Sequence, residues 1–384
     1  MKKHFYIFIC SFFFSLGANI LGFSMIFRLS DKFMFNTGQI GTFIALGNLF
    51  YFLGCNLYHR FVYVFNPVKV FTASTVVVFF ASLPIGFGSI TMVYAAYWII
   101  QICAGLFWPP IMAHLTSGLS EKELNRETSF FNRSWMSGLL VGPLVSGALY
   151  NWNSSANFVV LSISYSLALI LLLIKFKSGV AMSTSSFGKK TAHAPKTIDK
   201  RLDYYRYQAW IGAFCSSMVI GVVVNIMPIH IRDGLGYTER SAGMIIAMRC
   251  VAGFIGFTLV AKFSKWHFSR KWFMMMQGSF MICVLLFLIT GSHIILLGIV
   301  IFMCGLFNSA CYNNSLFYSS VTGKDPKRNM ALHEIVMALG GASGSAGGGF
   351  IYQHYHIPGI SIALLTLLGI GMGVFVFINK RLFK

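Results

Sequence analysis

Asn132-Arg133-Ser134-Trp135-Met136-Ser137-Gly138-Leu139-Leu140-Val141-Gly142-Pro143-Leu144-Val145-Ser146-Gly147 sets an arginine, a stripe of small residues and a proline inside an otherwise apolar run. Gly138, Gly142 and Ser146 recur every four residues and so share one helix face. Small residues on one face let membrane helices approach closely. Arg133 lies about 140° around the helix from Gly138, at ~100° per residue. One helix is therefore expected to carry a packing face and a separate charged face. The same stripe returns as Gly340, Gly344 and Gly348 at an offset of 202 residues, together with Gly147 to Gly349 and Tyr150 to Tyr352.

That offset extends beyond the stripe. It maps the stretch from Phe35 to Gly41 onto that from Tyr237 to Gly243, Gly54 onto Gly256, and Lys69 onto Lys271. It slips to 200 between Gly105-Leu106-Phe107 and Gly305-Leu306-Phe307. Matches at both ends of a half point to a duplicated unit. Two parallel repeats joined by a linker are the layout of many secondary transporters, with a solute site between the halves near the membrane midplane.

Composition places these repeats in a membrane. Of 384 residues, 56% are hydrophobic and only 10% charged, where soluble domains carry about 25% charge. Apolar runs of about twenty residues recur along the chain. Met1-Lys2-Lys3-His4 and the run from Phe5 imitate a secretion signal, but the run continues to Phe27, so a retained first helix is expected. The reading is an all-α membrane protein with 12 transmembrane helices in two pseudo-symmetric six-helix bundles. The N-terminal bundle spans residues 1–176, a cytoplasmic linker 177–206 with a short surface helix near 198–207, and the C-terminal bundle 207–384. Helix 7 is expected at about 207–231, helix 11 at about 329–352 and helix 12 at about 358–379.

The formal charge of +20 is a topology signal. All but six of the 30 Lys and Arg fall on one side of the expected topology. Arg28, Lys32, Arg232 and Arg240 lie on the other side, and Arg133 and Arg249 lie within helices. This bias puts both termini in the cytoplasm of a multi-pass protein, with the cell (inner) membrane as its location. No nucleic-acid partner is implied. The eight cysteines form neither a paired motif nor a metal cluster, and are read as packing residues. No phosphate-binding loop, nucleophile triad or metal set appears, so neither an enzyme nor a cofactor is expected.

Gly138-Leu139-Leu140-Val141-Gly142-Pro143-Leu144-Val145-Ser146-Gly147 resembles the helix 5 glycine–proline motif of antiporters in the major facilitator superfamily. Gly54 to Lys69 is similar to that superfamily's basic loop between helices 2 and 3, with Tyr58 where an aspartate is usual and Arg60 and Lys69 keeping the positive character. The chain resembles the superfamily over essentially its full length, which implies the major facilitator fold and transport by alternating access.

Charge inside hydrocarbon costs at least ~2.5–3.5 kcal/mol at a helix centre, which marks Arg249, Arg133 and Glu334. Arg249 falls roughly 12 Å inside its helix at 1.5 Å per residue, near the midplane. A guanidinium there suits an anionic group of a solute, the bland alternative being a structural ion pair. Arg133 and Glu334 occupy near-equivalent places close to the cytoplasmic ends of helices 5 and 11. They are read as gate or coupling residues, and snorkelling to the interface is the alternative. Whether the two pair with each other is left open.

Asn19, Gln101, Asn225, Asn308, Tyr312, Asn313 and Asn314 lie in helices 1, 4, 7 and 10, which line the central cavity in the superfamily, and the first five complete the solute-binding set. Asn308, Tyr312, Ser315 and Ser319 give helix 10 a continuous polar face, read as facing the cavity. His333 is read as a packing residue, and Arg28 and His230 as anchors at the outer ends of helices 1 and 7.

The expected function is secondary active transport of a small organic solute, an anion by the balance of buried charge. A proton or counter-solute would drive it, in a monomer surrounded by membrane lipid. Proton-driven efflux of drugs or metabolites is the first rival reading. A non-transporting receptor on the same fold is the second.

Overall fold

A computed structural model describes residues 5–62, 64–116, 121–177, 200–262, 269–321 and 326–382. Among the described residues all regular structure is helical. A chain in hydrocarbon must satisfy its backbone polar groups internally, and a helix does so within one segment. The helices are α1 (Phe5–Asp31), α2 (Thr37–Leu57), α3 (Pro67–Ser82), α4 (Ile90–Thr116), α5 (Glu121–Trp152) and α6 (Ala156–Lys177). After them come α7 (Lys200–Asn225), the single turn α8 (Met227–Ile229), α9 (Glu239–Lys262), α10 (Arg270–Thr290), α11 (Ile294–Val321) and α12 (Pro326–Leu382). Ten stretches of the described residues are long and apolar enough to cross a membrane. α5 lies outside the ten, because its charged and polar residues, its glycines and Pro143 dilute its apolar character.

Several boundaries differ from the sequence expectation. α7 already begins at Lys200, so residues 200–207 are its first turns and not a separate surface helix. The rest of the expected linker, through residue 199, lies outside the described residues. α7 then ends at Asn225, before the turn Met227-Pro228-Ile229 and a wide π-helical turn at His230–Gly234. Pro228 has no N–H to donate, which favours a new helix start there. α12 is two helices end to end. They meet at His356, whose φ of 51° is left-handed, and Pro358 follows.

The chain packs into two compact units: Met1–Met25 with Leu49–Ala194, and Ile26–Asn48 with Pro195–Lys384. Within each, the glycine stripe is a contact between backbones. In the first unit, a Cβ on Gly138 would lie 2.6 Å from the Phe12 carbonyl oxygen and 2.8 Å from Ser15 Cβ. In the second, a Cβ on Gly340 would lie 2.5 Å from the Phe214 carbonyl oxygen and 2.8 Å from Ser217 Cβ. Phe12 to Phe214 and Ser15 to Ser217 follow the same offset of 202 residues. The partners therefore repeat along with the glycines, and α5 lies on α1 as α12 lies on α7.

Polar bonds sit along the same seams. Ser15 Oγ donates to the Trp135 carbonyl at 2.8 Å, and Ser217 Oγ donates to Met337 Sδ at 3.1 Å. A second repeated contact joins α2 to α4 and α9 to α11. Gly105 lies against Cys55 N and Gly54 Cα, and Gly305 against the backbone of Arg249.

Candidate functional site

Three expected solute-binding residues of the second unit lie on the α9–α11 pair. Gly305 lets α11 settle on the α9 backbone, its Cβ position falling 2.9 Å from Arg249 Cα. That contact fixes where the arginine starts. The Arg249 side chain is half-buried, and its Nη2 donates to Cys250 Sγ at 3.5 Å. Its Nε is buried without a hydrogen-bond partner, and among the described residues Arg249 has no carboxylate partner. One turn along α11 from Gly305, Asn308 Oδ1 is likewise buried without a partner.

Tyr312, a further turn on, stands edge-on to Phe257 at 5.7 Å between ring centroids and to His333 at 5.0 Å. It lies within electrostatic reach of Glu334, which is half-buried at the start of the α12 apolar run. His333 is fully buried, and its Nδ1 is 2.7 Å from Ser315 Oγ. Ser319 Oγ accepts from Trp210 Nε1 at 2.9 Å. Two of the four polar positions expected on one cavity face thus bond neighbouring helices instead. Asn225 is engaged too, donating from Nδ2 to Ser345 Oγ across α7 and α12 at 2.7 Å.

The first unit holds Asn19, Gln101 and Arg133. Asn19 Nδ2 donates to the Ser15 carbonyl at 2.9 Å, and its Cβ is what an enlarged Gly142 would meet. Gln101 hydrogen-bonds the Tyr97 hydroxyl. Arg133 is exposed, with its guanidinium 5.6 Å from the Phe130 ring centroid.

Two groups are not legible in the sequence. Arg232, in the π-helical turn after α8, reads there only as an outer-loop charge. Its Nη1 lies 2.9 Å from Asp31 and 3.5 Å from Glu239, and its Nε 2.6 Å from Asp233. Its Nη2 donates to Ser30 Oγ at 3.2 Å, and the guanidinium covers the Phe27 ring at 4.7 Å. His230, expected as an interfacial anchor, is instead buried. Its Nδ1 meets the Tyr352 hydroxyl at 3.0 Å and its Nε2 the Gly291 carbonyl at 2.7 Å. The second group is three amides around one cavity in the second unit, Gln208, Gln277 and Asn314, of which the sequence offers only Asn314, as a polar residue of helix 10.

Repeated small-residue seams and apolar spans define a multi-pass membrane protein. A family model described as Major Facilitator Superfamily matches residues 7–330 and, separately, 209–382. The chain belongs to the Major Facilitator Superfamily, and the resemblance read from its motifs is borne out. No curated protein matches it.

Among solved structures, it is similar to a POT family transporter in complex with 5-aminolevulinic acid. The TM-score is 0.73 at 14% identity, covering 100% of this chain and 97% of that one. A second similar structure is a POT family transporter in complex with a thioalcohol-conjugated peptide, with TM-score 0.74, 14% identity, and coverage of 100% and 97%. A third is a point mutant of a peptide transporter POT in complex with sulfate, with TM-score 0.76, 12% identity, and coverage of 99% and 95%.

Proposed function

We propose that the protein moves a small organic anion across the cell (inner) membrane by alternating access, driven by a proton or a counter-solute. The observation that carries the reading is Arg249: a cation within an apolar helix, held on a fixed backbone contact, with no carboxylate partner among the described residues. A guanidinium in hydrocarbon calls for an anionic partner, and its planar fork matches a carboxylate. Asn308, with its own buried acceptor, and Tyr312 lie on α11, the helix that packs on α9 at Arg249. Asn19, Gln101 and Asn225 belong to the same proposed set, with Arg133 and Glu334 as gate or coupling residues.

Twelve crossings fit this proposal. They are the ten apolar stretches, with the last counted as two helices that meet at His356, and α5. Both termini are then cytoplasmic, and the transporter works as a monomer. Two of the similar structures hold 5-aminolevulinic acid and sulfate, so carboxylates and small oxyanions are the first solutes to try.

The test is uptake into proteoliposomes under an imposed proton gradient, screening small carboxylates. Arg249→Ala and Arg249→Lys should both abolish uptake of whichever anion is accepted, with unchanged elution on size exclusion. Glu334→Gln should remove the dependence on the proton gradient and leave exchange intact. Normal anion uptake by both Arg249 variants would defeat the anion site. Proton-driven efflux is the second reading, favoured by the antiporter-like stretch Gly138 to Gly147. It predicts that Glu334→Gln stops extrusion of apolar or cationic compounds while Arg249→Lys does not.

A further inference from the structure

The three buried amides lie outside the proposed solute-binding set. Gln208 on α7, Gln277 on α10 and Asn314 on α11 are 3%, 7% and 2% exposed, and all line one cavity with Met276, Cys311 and Gly371. Gln277 is satisfied on one side, its Nε2 donating to the Leu368 carbonyl at 3.3 Å. Gln208 Oε1 and Asn314 Oδ1 are buried and have no hydrogen-bond partner. Buried amide oxygens are nearly always paired, so two of them around one cavity call for a donor.

The cavity measures about 20 Å³. One water needs at least ~10–15 Å³ by this measure, and an organic solute needs far more. We propose that this cavity is a site for a resident water molecule, bonded through its two O–H groups to Gln208 and Asn314. A molecule with two donors and a compact shape satisfies both orphan acceptors at once, while its own oxygen stays free to accept. α7 and α11 are then joined here by solvent and not by a direct bond. Such a joint can lengthen or turn as the helices shift, which a direct amide pair cannot do without breaking.

X-ray radiolytic footprinting in ¹⁸O-labelled water tests this on the full-length protein in detergent. Bound water produces radicals in place, so lining side chains are oxidised although bulk solvent does not reach them. Cys311 and Met276 should take up label several-fold faster than their burial implies. Cys283 and Cys304 are 0% exposed and off the cavity, and serve as the dry reference. Gln208→Leu with Asn314→Leu should reduce the Cys311 rate to that of the reference and lower the Tm, because a filled site is lost.

Two results would overturn the proposal. One is labelling of wild-type Cys311 no faster than Cys283 and Cys304. The other is a double variant with a raised Tm, as expected if two unpartnered amides had been relieved. The wild-type rates decide the matter even if the double variant does not fold.

Discussion

Arg232 gathers more charge than any other residue whose contacts are described above. Three carboxylates, a hydroxyl and an aromatic face surround one guanidinium that is 14% exposed. The planar fork can serve several acceptors at once, which an ammonium cannot. Arg232→Gln removes the cation that Asp31, Asp233 and Glu239 share. Asp31 and Asp233 are 44% and 47% exposed, so water screens much of their repulsion. The expected loss is about 2 kcal/mol, typical of hydrogen bonds to a charged group, read as a lower Tm in detergent. Arg232→Lys should recover only part of it, and Asp31→Asn should cost less than Arg232→Gln. An unchanged Tm for Arg232→Gln would show the cluster to be incidental. None of this was readable in the sequence, because Asp31 and Arg232 meet across 201 residues and a loop arginine is ordinarily a topology charge. Arg249 was readable for the opposite reason: a charge in an apolar run is conspicuous without knowing its neighbours.

At the scale of elements, spacing alone disclosed the seams. A four-residue repeat of small side chains has one geometric use in a membrane helix, and the glycine contacts of α5 on α1 and α12 on α7 follow it. Breaks in helices were less legible. Pro228 and Pro358 are visible, but a proline within an apolar run reads equally as a kink or an end. The left-handed turn at His356 falls on a residue type with no strong claim to it. The seam makes a discriminating prediction because α12 carries glycines in two environments. Gly344 has no room: a Cβ there would collide with the Met218 backbone. A Cβ on Gly347, three residues along the same helix, meets nothing within 4 Å. Gly344→Ala should therefore force α12 off α7 at a cost of ~1–3 kcal/mol, as overpacking does. Gly347→Ala should be neutral or stabilising by up to ~1 kcal/mol, from the lower entropy of alanine in the unfolded chain. The two substitutions are chemically identical, so their difference in Tm isolates the seam. Equal shifts would mean that the close approach contributes nothing.

For the whole molecule, composition announced the class, and the repeat announced the duplication, in keeping with a family model that matches residues 209–382 separately. The division of the chain was not announced. Residues 26–48, from the end of α1 to the middle of α2, pack in the second unit. Their partners include Arg232, Ser345, Gly349 and Gln353, 201 residues and more along the chain, a distance over which no local pattern carries information. Gly41 lies against α12, its Cβ position 3.2 Å from Gly349 Cα, and Gly38 lies against Gln353. Asp31 bonds Arg232 in the same unit. A C-terminal fragment cut within residues 178–199 therefore lacks part of the unit it would form. It loses the chain that covers Gly349 and Ser345, and it leaves Arg232 without Asp31. Expressed alone, this fragment should be recovered in low yield and elute as aggregate on size exclusion. Co-expressed with the matching N-terminal fragment, it should elute as a single species and regain thermal stability close to that of the intact chain. Asp31→Asn in the N-terminal fragment should weaken the rescue without abolishing it, because the Gly41 and Gly38 contacts remain. A lone C-terminal fragment as monodisperse and as stable as the pair would show that residues 26–48 are dispensable to the second unit.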